Sequence, residues 1–134
     1  MLDKNGYTGY LVVNTRMANG AIPVEGARVR VTEADEGTGN TAAVEITDNS
    51  GMTKKIALAA PSPQFSEKPN EQTRPYSIYN IEITKDGFYD IIKLNVPIYS
   101  GITAIQPVEM LPLPVGSNGY SKSEIFQENF PPEL

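Results

Sequence analysis

Seven short stretches of this chain alternate apolar and polar residues, each bounded by Gly, Pro, Asn or Asp, and this punctuation constrains the fold more than any other feature. The clearest runs from Ala27 to Glu33, where Ala27, Val29 and Val31 alternate with Arg28, Arg30 and Thr32. Successive side chains of an extended backbone point to opposite faces, so this run predicts a strand with one buried and one wet face. Between Thr8 and Asn14, Gly9, Leu11 and Val13 share one face and Tyr10 and Val12 the other, which predicts a strand partly covered on both sides. Ala42, Val44 and Ile46 alternate with Ala43, Glu45 and Thr47 as a third strand. A fourth, Thr53 to Leu58, sets Ile56 and Leu58 inside and Thr53, Lys55 and Ala57 outside. In the fifth, Tyr76 to Lys85, Tyr79, Ile81 and Ile83 oppose Asn80, Glu82 and Thr84. The sixth runs from about Tyr89 to Val96, with Ile92, Leu94 and Val96 facing away from Ile91, Lys93 and Asn95, and Pro97 ending it. The seventh, Ile102 to Met110, groups Ile102, Ala104, Val108 and Met110, and Pro107 marks it as an edge strand or a bulged one.

The connections carry their own chemistry. Asp48-Asn49-Ser50-Gly51 predicts a hairpin turn, because Asp and Asn bond nearby backbone amides and Gly accepts positive φ. Asp86-Gly87 turns the chain again, and Asp35 to Asn40 is a further turn cluster. The prolines between Ala60 and Pro75 lack amide donors and hold the residues before them extended, so this stretch reads as one long surface loop at residues 61–75. Seven evenly spaced strands in 134 residues, with 11 Gly and 11 Pro, predict an all-β chain: a seven-stranded antiparallel β-sandwich of Greek-key type. The sandwich is expected to occupy residues 1–113. Residues 114–134 read as an extended Pro- and Gly-containing tail in which no core strand fits, although Tyr120, Ile125, Phe126, Phe130 and Leu134 give it enough apolar weight to dock on this domain or on a partner.

Composition removes several functions. With 11 basic and 16 acidic residues the formal charge is −5, which repels a phosphate backbone, so no nucleic-acid partner is expected. No stretch approaches the roughly 20 apolar residues of a membrane helix, and the sequence from Met1 to Gly6 lacks the apolar core of a signal peptide. The expectation is a chain with no membrane span; the compartment is left unassigned between cytoplasm, spore and cell envelope. There are no cysteines and no histidines, hence no disulfide, no thiol nucleophile, no imidazole base and no nitrogen ligand for zinc or copper.

The order of motifs from about Thr8 to Leu113 resembles the carboxypeptidase regulatory-like domains, whose fold is the prealbumin-like (transthyretin-like, Ig-like) sandwich. The carriers are Gly9 to Val13, Ile22 to Val29, Thr47 to Thr53, and Tyr79 to Ile83 followed by Gly87-Phe88-Tyr89. A narrower likeness, in Leu58 to Pro61, Arg74 to Tyr76, Asn95 to Ile102 and Ala104 to Pro112, is to a clostridial and bacillar subgroup that precedes spore cortex-lytic enzymes and also occurs in small stand-alone proteins. The resemblance implies an accessory domain that assists folding, targeting or assembly. It transfers no cortex-lytic activity, because these residues include no peptidoglycan-binding repeat or hydrolase motif.

Candidate chemistry is thin. Asp35, Glu36 and Asp48 are the acids available for a calcium site built on loop oxygens, but the spacing of a calcium-binding loop is absent and a turn role is the simpler reading. Tyr7, Tyr10, Tyr76, Tyr79, Tyr89, Tyr99 and Tyr120 could stack on sugars, yet without Trp, and with Tyr79 on a core face, packing is the simpler reading. Glu45 and Glu82 are a conceivable acid–base pair. The hydroxyisourate hydrolases of the same sandwich depend on histidines and a C-terminal Tyr-Arg-Gly-Ser motif that this chain lacks. Lys4 precedes the first strand, but the last strand lacks the Asn that a pilin-type isopeptide bond would need. No catalytic, cofactor-binding or metal-binding residue is therefore assigned, and no cofactor is expected. The expected function is a non-catalytic accessory or structural domain that binds a protein partner or a cell-wall or spore component. The alternative is a carbohydrate- or peptidoglycan-binding module, and an enzyme is a distant third. The seventh strand and the tail are the expected contact elements, because an unpaired edge offers backbone donors and acceptors.

Overall fold

All seven alternating segments form strands in the computed structural model, which describes residues 7–34, 39–62 and 75–114 together with the backbone of residues 124–128. The strands are β1 (Tyr7–Met17), β2 (Ile22–Pro23), β3 (Arg28–Glu33), β4 (Thr41–Ile46), β5 (Ile56–Ala60), β6 (Ser77–Thr84), β7 (Asp90–Ile98), β8 (Thr103–Glu109) and β9 (Glu124–Glu128). No helix occurs among the described residues. One sheet runs β4-β3-β6-β7-β9, and the other is built around β1, with β2, β5 and β8 as its neighbours. The antiparallel ladder of β1 with β5 covers Tyr7 to Leu11, and the parallel ladder with β8 covers Tyr10 to Arg16. Since Tyr10 and Leu11 belong to both ladders, β5 and β8 lie on opposite edges of β1.

The core lies between the sheets. Leu11 and Val13 of β1, Leu58 of β5 and Val108 of β8 meet Val29 and Val31 of β3, Ile81 and Ile83 of β6, and Ile91, Val96 and Ile98 of β7. Each such side chain contributes about 1.5–3 kcal/mol on leaving water. This confirms the inward faces expected for β3 and β6; in β1, expected to be partly covered on both sides, Leu11 and Val13 are buried and Tyr10 and Val12 half-buried. The Tyr79 hydroxyl crosses the gap and donates to the Ala59 carbonyl (2.6 Å), tying β6 to the facing sheet. Gly9 lies where the chain beyond β7 passes over β1, and an added Cβ would collide with the Tyr99 carbonyl oxygen.

Several expectations are corrected. The sandwich has nine strands among the described residues rather than seven, and two of its pairings, β1 with β8 and β7 with β9, are parallel. No core strand is expected in the tail, and within it β9 pairs along β7 as the outermost strand of the five-stranded sheet. The turn from Asp48 to Gly51 does not close a hairpin between sheet neighbours, because β4 and β5 belong to different sheets. Gly51, at φ 79°, presses against the Thr15 carbonyl and carries the chain across to β1. Thr53 is buried rather than outside: it precedes β5, its hydroxyl accepts from the Val13 N–H (3.0 Å) and its N–H donates to the Val13 carbonyl (3.0 Å). In β7 the expected phase fails. Ile91, Val96 and Ile98 are buried while Ile92 and Leu94 are half-buried, because the β6–β7 register slips between Tyr79 and Ile81 and Asn95 adopts φ 62°. A bulge changes which face odd and even residues occupy. The strand also continues through Pro97 to Ile98. Ile102 precedes β8 and is exposed, although Ala104, Val108 and Met110 face the core as expected. The loop expected at residues 61–75 falls mostly outside the described residues.

Candidate interaction surface

The seven large apolar side chains exposed among the described residues are Tyr7, Ile22, Val44, Ile46, Ile102, Ile105 and Leu111. Two of them belong to β4 and three to β8 and its flanks, each strand forming one edge of a different sheet. The strand registers show what these edges offer.

β4 pairs antiparallel with β3. The Thr47 N–H donates to the Ala27 carbonyl (3.0 Å), and in an antiparallel ladder bonded pairs recur every second residue. The register then makes Val29–Glu45 and Val31–Ala43 bonded pairs, so the N–H and C=O of Val44 and Ile46 face the free edge. Their side chains lie on the outer face opposite Arg30 and Arg28, 43% and 56% exposed respectively. Ala42 lies where the register slips by one residue. Alternation predicted the strand, but its larger apolar residues lie on the solvent side, while Ala43 and Glu45 are half-buried on the other.

β8 has a different edge. The Tyr10 N–H donates to the Ile102 carbonyl (3.0 Å) and the Met110 N–H to the Arg16 carbonyl (2.7 Å), which sets the amides of even-numbered β8 residues toward β1. The free edge therefore belongs to Thr103, Ile105, Pro107 and Glu109, and Pro107 occupies a position where a missing N–H costs the sheet nothing. Ile105 is 59% exposed and lies opposite Val12 of β1.

The sequence-derived candidates do not converge. Asp48 is a turn residue whose Oδ1 accepts from the N–H groups of Ser50 (2.9 Å) and Met52 (3.1 Å). Asp35 and Glu36 lie outside the described residues, as do Lys4 and Tyr120. Glu45 and Glu82 lie on opposite faces of the five-stranded sheet. Glu82 faces Arg30 at 3.6 Å and Glu45 faces Lys54 at 3.5 Å. Tyr76 and Tyr79 are buried, and the Tyr76 ring packs tilted on Tyr99 with centroids 5.3 Å apart. Burial and the neighbouring Tyr76 raise the Tyr99 hydroxyl above its usual pKa. Lys55 sits 5.0 Å from the Tyr10 ring centroid, so this half-buried ring is also occupied. Tyr7 is the most exposed of the described tyrosines. Burial lowers the Lys93 ammonium below its usual pKa. An open cleft of about 320 Å³ between Gly26, Arg28, Thr84, Lys85 and Asp86 brings together two cations and one acid, and no three metal-ligating side chains cluster among the described residues. Among the described residues no helix is long and apolar enough to cross a membrane.

No family model matches the chain, and no curated protein matches it by sequence. Solved structures do match. A hydroxyquinol 1,2-dioxygenase from Pseudomonas putida DLL-E4 superposes with a TM-score of 0.56 at 16% identity over 84% of this chain and 59% of its own. A catechol 1,2-dioxygenase from Pseudomonas arvilla C-1 gives 0.54 at 14% identity over 92% of this chain and 60% of its own. The Bacillus anthracis TIE protein gives 0.50 at 13% identity over 80% of this chain and 17% of its own. This chain thus spans less than two thirds of each of them. The likeness is one of fold, the two-sheet β-sandwich of Ig-like and prealbumin-like proteins.

Proposed function

We propose that this protein is a non-catalytic accessory domain that holds a protein partner at the free edges of its sandwich. The observation that supports this most directly is the placement of Val44, Ile46, Ile102 and Ile105, large apolar side chains left in water on or beside strands whose outward backbone groups meet no neighbouring strand among the described residues. Exposed apolar side chains beside an unpaired edge are the materials of strand addition, in which backbone bonds supply affinity and alternate side chains supply selectivity. The resemblance to carboxypeptidase regulatory-like domains, and to the subgroup that precedes spore cortex-lytic enzymes, supports the accessory role and a setting at the spore or cell wall.

A photo-crosslinking residue placed in turn at Ile46 and Ile105, with Asp86 as the control position, tests this in the native host. Adducts with a protein at position 46 or 105 and none at 86 are expected. Equal labelling at all three positions, or no adduct together with retention of the protein on insoluble peptidoglycan, would reject the reading and favour the glycan-binding alternative.

A further inference from the structure

We infer that the edge of β4 pairs antiparallel with β4 of a second copy of this chain, joining two five-stranded sheets across a two-fold axis through Val44. The inference rests on the interaction reading above and names its partner. Native edge strands ordinarily carry a device against such pairing: a proline, an outward lysine or a covering segment. β8 has Pro107, whereas β4 reads Thr-Ala-Ala-Val-Glu-Ile, with no proline, no glycine and no basic residue.

The charge pattern selects both the occupant and the register. A basic strand would meet Arg28 and Arg30, which stand beside Ile46 and Val44 on the outer face. An acidic strand would meet Glu45. A strand with no basic residue and a single acid fits, provided that acid does not meet Glu45, and β4, whose one charge is Glu45, is such a strand. With the axis through Val44, the two Val44 residues form a pair that exchanges both backbone bonds, Ile46 of each copy lies over Ala42 of the other, and Glu45 lies opposite Ala43. An axis through Glu45 would set two carboxylates face to face, and one through Ile46 would run the partner into the turn from Asp48 to Gly51. Glu45 is meanwhile partnered within its own chain by Lys54 at 3.5 Å, so the pairing brings together no uncompensated acids. One strand pair makes a small interface, which predicts a reversible, concentration-dependent dimer.

Sedimentation equilibrium of the full chain up to about 1 mM, combined with amide exchange at low and high concentration, tests this. A dimer is expected. With rising concentration the amides of Val44 and Ile46 should gain protection while those of Ala43 and Glu45, already bonded to β3, stay unchanged. Val44→Lys, which opposes two ammonium groups at the axis, should weaken the dimer at least about tenfold, and Ile105→Lys should not. A chain that stays monomeric throughout, or a dimer disrupted by Ile105→Lys and not by Val44→Lys, overturns the proposal. Monomeric protein that still crosslinks a different protein at position 46 or 105 would overturn the dimer while leaving the interaction reading intact.

Discussion

β4 and β8 are both free edges bearing exposed isoleucines, yet they are held in opposite ways. β8 is anchored from within: Val108 and the adjoining Met110 are completely or almost completely buried, and Ala104 packs on the core. β4 has no buried residue along its length and relies on its bonds to β3 and on Thr47 at its end. There the Thr47 hydroxyl accepts from the Ala27 N–H (2.9 Å) and donates to the Val24 carbonyl (2.8 Å). An edge anchored by its side chains can afford an outer face blunted by proline. One held mainly by its backbone keeps its larger side chains outside, where another chain can cover them.

The anchoring difference is most easily broken at Met110. Met110→Ala should cost about 2–5 kcal/mol in urea unfolding, as large-to-small changes in packed cores do. No single apolar truncation within β4 should approach this, since its inward apolar residue is the half-buried Ala43. A Met110→Ala loss no greater than that of Val44→Ala would show that β8 is not anchored as described.

A smaller effect separates the strands by dynamics. Thr47→Val preserves shape but leaves the Ala27 N–H and the Val24 carbonyl without this hydroxyl, and should cost about 1–3 kcal/mol. Amide exchange at Ala43 and Glu45 should quicken more than at Val108, because local opening starts where buried contacts are fewest. Equal quickening at all three would mean that β4 and β8 unfold as one unit.

How far these elements were legible in the sequence follows from the same physics. The inward faces of β3 and β6 are legible because their alternation is unbroken and matches the burial of Val29 and Ile81, whereas in β1 the consecutive Leu11, Val12 and Val13 leave open which face is the deeper one. The face of β7 was not, since its bulge lies where Asn80 Oδ1 accepts from the Asn95 N–H (3.1 Å), an event set by the facing strand. Alternation carries no direction, so the parallel course of β8 beside β1 was invisible, and turn residues such as Asp48 and Gly51 fix a local reversal without fixing which sheet the chain enters. β9 was hidden among prolines and glycines. Of the candidate surface, Pro107 marks β8 as an edge strand or a bulged one, and the structure makes it an edge. β4 carried a weaker signal, a strand without Pro, Lys or Arg, and only the register showed that Val44 and Ile46 face water.

The smallest effect concerns the blunting itself. Pro107 lies opposite Asn14 in the β1–β8 ladder with its nitrogen directed away from β1, so Pro107→Ala gains no bond within the sheet. It should lose about 0.4–1 kcal/mol, because the unfolded chain becomes freer. In exchange it adds an outward N–H between those of Ile105 and Glu109, making the free side of β8 continuous. Introduced into the Val44→Lys background, where pairing through β4 is suppressed, it should restore measurable self-association in sedimentation, with the Ile105 amide gaining protection as concentration rises. If Pro107→Ala lowers stability and association stays absent, the outward proline is not what keeps β8 unpaired. The difference between the two edges would then lie in their side chains alone, with Thr103 and Glu109 flanking Ile105 in β8 where β4 presents Val44 and Ile46.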